Sequence, residues 1–292
     1  NATGPLWDGN EVWLLTAGGV TFAAFPKTYA VMFSAFHEAL TLLVLALIVR
    51  GVSFEFRNKV ATSAGRKLCD LCQFVGSALA AILLGVAFAN LFRGIPLVDG
   101  VRQGTLLTLL NPYALAGGVL FLAVFLLHGA LWLAIRTKDR MHEKAARAAG
   151  VLWYVVTILA VAFLAYTAIE TPVWSNYLKT PALFVVPALA VAALVAVKPA
   201  IAKKRFGLAW IASAVMIVSV TFFGVIGLYP NMLLSTIEPA TNSITLFDAA
   251  SGALTLKVML GVVLFFVPLV LIYQAWAYRL FSGKLEVSEL IY

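Results

Sequence analysis

Residues 111–136 read N-P-Y-A-L-A-G-G-V-L-F-L-A-V-F-L-L-H-G-A-L-W-L-A-I-R, and His128 is the one titratable imidazole before Arg136 closes the run. Two structures cross a bilayer with every backbone group satisfied, the α-helix and the closed barrel. A spanning helix needs ~20 mostly apolar residues, whereas a barrel strand is only ~10 residues long and alternates. This stretch is too long for a strand and does not alternate, so it predicts a spanning helix. Ala39–Val49 and Leu79–Ala89 repeat the pattern. The whole chain agrees: 62% of its 292 residues are hydrophobic and 12% are charged, with a mean hydropathy of +0.97. A soluble domain carries about twice that charged fraction. There is too little polar surface to face water on all sides.

Apolar runs, loop charges and Pro/Gly breaks divide the chain into eight helices, near 10–25, 27–50, 67–93, 111–136, 148–169, 181–198, 206–229 and 252–281. The fold class is an all-α integral membrane protein, a polytopic helical bundle forming a single domain over residues 1–292. The first segment is short, either a tilted span or a helix buried inside the bundle. Alternate loops test the count. One side holds sixteen of the twenty-one Lys and Arg, and the other keeps Lys27, Arg93, Arg102, Lys179 and Lys257. That alternation is what the positive-inside rule requires. It puts the C-terminus in the cytoplasm and Trp7-Asp8 at the cytoplasmic end of the first helix. Tyr113, Trp174, Tyr177 and Tyr229 fall at the outer ends, where an aromatic belt sits. The longest outer loop, 230–251, is too short to build a soluble domain.

The formal charge of +8 belongs to this topology signal. No basic helix or aromatic-interleaved patch points to nucleic acid. Cys69 and Cys72 form a lone C-x-x-C without the second pair a zinc site needs, and read as reduced, packed thiols.

The ends of the chain carry specific motifs. Residues 5–30 read P-L-W-D-G-N-E-V-W-L-L-T-A-G-G-V-T-F-A-A-F-P-K-T-Y-A, followed by F-S-A-F at 33–36. Residues 245–259 read T-L-F-D-A-A-S-G-A-L-T-L-K-V-M, and 268–285 read P-L-V-L-I-Y-Q-A-W-A-Y-R-L-F-S-G-K-L. Between them stand G-V-A-F-A-N-L at 85–91, L-N-P-Y at 110–113 and H-G-A at 128–130. In this order the set resembles subunit II of cytochrome bd quinol oxidases, with Trp7, Gly9, Asn10 and Trp13 supporting the first motif. That family has a further helix with its own acids ahead of W-D-G-N, and its assignments there have no counterpart here.

The resemblance implies a two-subunit quinol:oxygen oxidoreductase of the bacterial or archaeal inner-membrane respiratory chain, reducing dioxygen to water with protons taken from the cytoplasm. Haem b and haem d would lie in subunit I, and this chain would bind no haem and be its structural partner. Quinol is the substrate of such a complex. Whether a structural quinone or lipid binds here, and whether a small accessory subunit joins, stay open. The histidine count fits a chain without haem: of His37, His128 and His142, only the first two lie within predicted helices.

Four residues are candidates for a proton path. Asp8 matches an aspartate that the family places on such a path, and a carboxylate near low dielectric can exchange protons. Asp8 and Glu11 also have capping-box spacing, and the two roles are compatible. Glu11 is either a relay from Asp8 or an ion-pair partner. His37 and Glu38 fall near the middle of the predicted second helix, where a charge costs at least ~2.5 kcal/mol. The family pattern has an aromatic and then an apolar residue at these positions. The pair is read either as a proton or water site or as a satisfied buried pair. His128 is expected to pack, Asp70 to cap the third helix, and Asp248 to cap the last.

The competing class is a stand-alone secondary transporter, which also places buried acids beside broken helices. It predicts nothing about the ordered motifs.

Overall fold

The apolar runs fold as helices, and several continue well past their apolar ends. The computed structural model describes residues 2–285. Its elements, in order, are α1 (Trp7–Ala24), α2 (Pro26–Ala35), α3 (His37–Phe56), α4 (Ser63–Arg93), a two-strand hairpin β1 (Leu97–Val98) and β2 (Val101–Arg102), and α5 (Leu106–Leu109). Next come α6 (Pro112–Arg136), α7 (Asp139–Glu170), α8 (Ser175–Lys179) and a 3₁₀ turn (Pro181–Phe184) that runs into α9 (Val185–Ala202). The chain continues through α10 (Phe206–Leu228), β3 (Asn231–Leu233), α11 (Pro239–Asn242), β4 (Ile244–Thr245), α12 (Leu246–Ala249) and α13 (Ala253–Leu280). Among the described residues, seven helices are long and apolar enough to cross a membrane: α3, α4, α6, α7, α9 with its 3₁₀ turn, α10 and α13. The chain is a multi-pass helical membrane protein.

The predicted second helix is two. Phe36, at φ −101° and ψ 12°, leaves helical geometry, so α2 ends at Ala35 and α3 starts at His37. This corrects the placement of His37 and Glu38. They are not in the middle of one long helix but in the first turn of α3, at the end away from the basic loops, and both are exposed. α1 buries only Ala24, so it is not a segment enclosed by the bundle.

α4 lies between α3 and α6, α6 also meets α7 and α10, and α9 packs on α10. The tightest crossing is set by glycine. A Cβ on Gly85 would stand 2.6 Å from the Gly117 carbonyl oxygen and 2.7 Å from the Gly118 Cα, so α4 and α6 approach backbone to backbone, as small residues permit in membranes. One buried amide then locks the sparse-charge end. Asn90 Nδ2 donates to the carbonyls of Val86 and Leu109, each at 2.8 Å, and its Oδ1 accepts from Asn111 Nδ2 at 3.0 Å. Asn111 Oδ1 in turn caps α6 by accepting from the Ala114 N–H at 2.9 Å.

The sparse-charge side is closed by short elements. β1–β2 and β3–β4 each form an antiparallel pair, and the buried side chains of Ile95, Leu97, Leu109, Leu233, Ile244 and Ala249 knit them to α2 and the start of α3. Asp248 belongs to this cap and not to α13. It forms a capping box with Thr245 on α12, while Gly252 precedes α13. Asp70 is likewise not a cap. Thr62 caps α4, and Asp70 pairs with Arg57 across the turn.

A cavity beside the basic loops

The W-D-G-N motif opens α1, and helical spacing divides its residues between faces. Trp7, Asn10, Glu11 and Leu14, at i, i+3, i+4 and i+7, share one face. They line a cavity of about 530 Å³ with Leu47 and Arg50 of α3, Ser77 and Ala81 of α4, His128 and Trp132 of α6, Trp210 of α10 and Tyr278 of α13. Arg50, Trp132 and Tyr278 all lie in the last two turns of their helices, so the cavity sits toward the basic loops. Asp8 is not on its wall. It is exposed, beside exposed Val12 and Leu15, on the face of α1 that no described residue covers.

Polar groups are distributed around an aromatic frame. Glu11 forms an ion pair with Arg50, whose guanidinium also lies 5.8 Å from the Trp7 ring centre. Asn10 Nδ2 donates to the Tyr278 hydroxyl at 3.2 Å, and Trp132 Nε1 donates to the Ala2 carbonyl at 3.0 Å. The His128 ring lies 5.0 Å from that of Trp210, and Trp132 meets both Trp210 and Tyr278 at under 6 Å. The Trp210 indole N–H is buried without a hydrogen-bond partner among the described residues.

The capping-box reading of Asp8 does not hold. Leu6 is the N-cap of α1, with no side-chain cap, and Asp8 stands in the first turn, where a carboxylate still favours the helix dipole. Glu11 faces Arg50 and not Asp8. At the far end of the molecule, both Glu38 oxygens accept from Arg102 Nη2, at 2.8 and 2.9 Å, and the Arg102 side chain is only 9% exposed. The structure therefore brings Glu11 to the cavity, leaves Asp8 on an uncovered face, and ties Glu38 to the β2 hairpin. His37 and His128 lie on opposite halves of the bundle and do not meet. Among the described residues no cluster of three His, Cys, Asp or Glu is placed to hold a metal ion.

Sequence reasoning missed Arg50, Trp132, Trp210 and Tyr278. The i, i+3, i+4 spacing from Trp7 was enough to separate Glu11 from Asp8. The partners on α3, α6, α10 and α13 carried no local signal.

Fold and cavity together define a multi-pass helical membrane protein with ionisable groups held near its basic side. Comparison narrows the class. A family model described as cytochrome bd terminal oxidase subunit II matches residues 1–281. The chain is 33% identical to the "Probable cytochrome oxidase subunit 2" of Haemophilus influenzae, over 99% of this chain and 84% of the relative. It is 31% identical to the "Cytochrome bd-I ubiquinol oxidase subunit 2" of Escherichia coli K12 and 34% to the "Cytochrome bd ubiquinol oxidase subunit 2" of Bacillus subtilis, each over 99% of this chain and 85% of the relative. Its fold matches a chain of the bd oxidase from Geobacillus thermodenitrificans with a TM-score of 0.69, at 16% identity, over 96% of this chain and 84% of that one. The chain belongs to the cytochrome bd terminal oxidase subunit II family, and is a subunit of an oxidoreductase. That membership displaces the transporter reading.

Proposed function

We propose that this chain is the non-haem subunit of a respiratory quinol:oxygen oxidoreductase and carries part of the path by which cytoplasmic protons reach the site of dioxygen reduction. Its basic loops and C-terminus face the cytoplasm. Its relatives are named as ubiquinol oxidase subunits, and the partner is a haem-bearing subunit I. When bound there, haem b and haem d supply electron transfer and dioxygen chemistry.

The observation that carries the reading is the position of Asp8. A carboxylate in the first turn of α1, on an apolar and uncovered face, is costly against lipid alone. It becomes useful once a partner covers it and supplies the next proton acceptor. The apolar neighbours Val12 and Leu15 share its exposed face, which a partner would have to cover. Glu11, on the inward face, is held by Arg50 and serves the cavity. The cavity's size and its indole and guanidinium donors suit the head group of a structural quinone or a lipid. Glu38 acts at the opposite side as an anchor for the β2 hairpin through Arg102.

Asp8→Asn tests this directly, because the amide keeps the shape and cannot carry a proton. In the purified complex it is expected to lower turnover and proton uptake together by at least tenfold, with haem content unchanged. Unchanged turnover and uptake would remove Asp8 from the path.

A further inference from the structure

From Thr171 to Ile237 the chain holds no Asp or Glu, yet it places Lys198, Lys203, Lys204 and Arg205 close together. A loop-charge signal needs only the last three. Lys198 lies inside α9, one turn before its end. Its Nζ stands 4.0 Å from the Tyr154 ring centre and 5.4 Å from that of Trp153, both on α7. Trp153 is fixed in turn by donating its indole N–H to the Leu194 carbonyl at 2.7 Å. The rings cover one side of the ammonium, and Lys198 has no ion pair among the described residues.

The neighbouring cations are equally free. The N–H groups of Lys204 and Arg205 donate to the Ile201 and Ala200 carbonyls at 2.9 and 2.8 Å, a backbone closure of the helix end that leaves the exposed side chains of Lys203, Lys204 and Arg205 without a capping task. On α7, Arg147, Gly150 and Tyr154 follow one another at i, i+3 and i+7. A Cβ on Gly150 would meet nothing within 4 Å, so the face between Arg147 and the ring shelf is open. Glu143 stands one turn before Arg147 and forms no ion pair with it. Away from the basic loops both faces turn apolar. Val155 and Ile158 continue the exposed face of α7, and Val191 and Val195 lead to Lys198 at i+4 and i+7 on α9. α6 and α10 stand between this seam and the α1–α13 face.

We propose that the α7–α9 seam is a binding site for an anionic phospholipid of the leaflet that meets the basic loops. Lys198, Arg147 and Lys203 hold the phosphate, and an acyl chain lies along Val155, Ile158 and Val195. Cations beside an anionic leaflet attract its lipids, and the tyrosine shelf holds the Lys198 ammonium at the level of the head groups instead of leaving it to sweep through water. The apolar continuation selects a lipid over a free phosphate. This site is separate from the cavity and from Asp8, and it does not rest on the proton-path reading.

The test uses the whole complex in phosphatidylcholine nanodiscs doped with phosphatidylglycerol that carries a diazirine in its acyl chain, or with phosphatidylcholine carrying the same probe. After illumination, peptide mass spectrometry locates the adducts. The anionic probe is expected to label segments 151–158 and 191–195 about tenfold more than the zwitterionic one. Lys198→Gln should lower that ratio about fivefold, and Tyr154→Leu, which keeps every charge, about twofold. Arg66→Gln combined with Lys67→Gln, a larger charge loss on α4, should leave it unchanged. Equal labelling by the two probes would overturn the proposal, as would a ratio that survives Lys198→Gln in a complex of full haem content. A ratio lost equally in the α4 variant would reduce the site to general surface charge and overturn it too. So would a preference that disappears when phosphate replaces chloride at equal ionic strength, the mark of a site for a soluble anion.

Discussion

Asn90 and Tyr177 show how single polar side chains hold an apolar bundle together. Asn90 is 1% exposed and uses both amide hydrogens and its carbonyl on three different partners. Asn90→Ala strands the Leu109 carbonyl and the Asn111 amide, at roughly 1–3 kcal/mol for each buried group left unsatisfied. Thermal unfolding of the purified complex should fall by several degrees, and an unchanged midpoint would contradict the network. Tyr177, on α8 outside the spanning helices, donates to the Phe223 carbonyl at 2.8 Å, and burial pushes its hydroxyl up from 10.0 to about 12. A raised folded value means the unfolded chain loses this proton first. The resulting stabilisation is complete below pH 10 and is lost as the pH climbs toward 12. Tyr177→Phe, which has no proton to lose, should weaken the fold at neutral pH by about 1 kcal/mol and flatten the loss of stability between pH 10 and 12. An alkaline limb identical to that of the unsubstituted protein would contradict the assignment.

At the scale of elements, the lesson concerns helix ends. Apolar runs located every spanning segment, but α4 begins at Ser63 and α7 at Asp139, several residues before the apolar stretches start. Charged, helix-favouring residues such as Arg140, Glu143 and Lys144 extend a helix into water without changing its hydrophobic count. The opposite error joined α2 and α3 into one helix over 27–50, because neither proline nor glycine marks the break at Phe36. Its cause is tertiary, since Phe36 is buried among Ile95, Leu233 and Ile244 of the cap. That break places Glu38 within reach of Arg102. Replacing His37 and Glu38 together with Tyr and Val leaves the nearly buried Arg102 without its carboxylate partner. The variant should melt lower and expose the 97–102 hairpin to faster hydrogen exchange, with turnover preserved. Lost turnover in a well-assembled complex would return the pair to the proton path.

At the scale of the whole molecule, the apolar runs and the ordered motifs made the membrane class and the family legible in the amino-acid sequence. The cavity was not, because it is assembled from six helices whose partners lie as far apart as Asn10 and Tyr278. Two features have no explanation within the chain. None of the residues of α13 is buried, and α1 packs only lightly against it, although α1 carries the most specific motif. The covering subunit proposed above would account for both the motif and the exposed Asp8. The most direct measurement is therefore to isolate the chain by an affinity tag from gently solubilised native membranes and record the reduced-minus-oxidised visible spectrum. The account predicts haem b and haem d bands that co-purify with a larger subunit and vanish when a denaturing wash strips it away. A colourless chain with no partner, or bands that remain after every partner is gone, would contradict it.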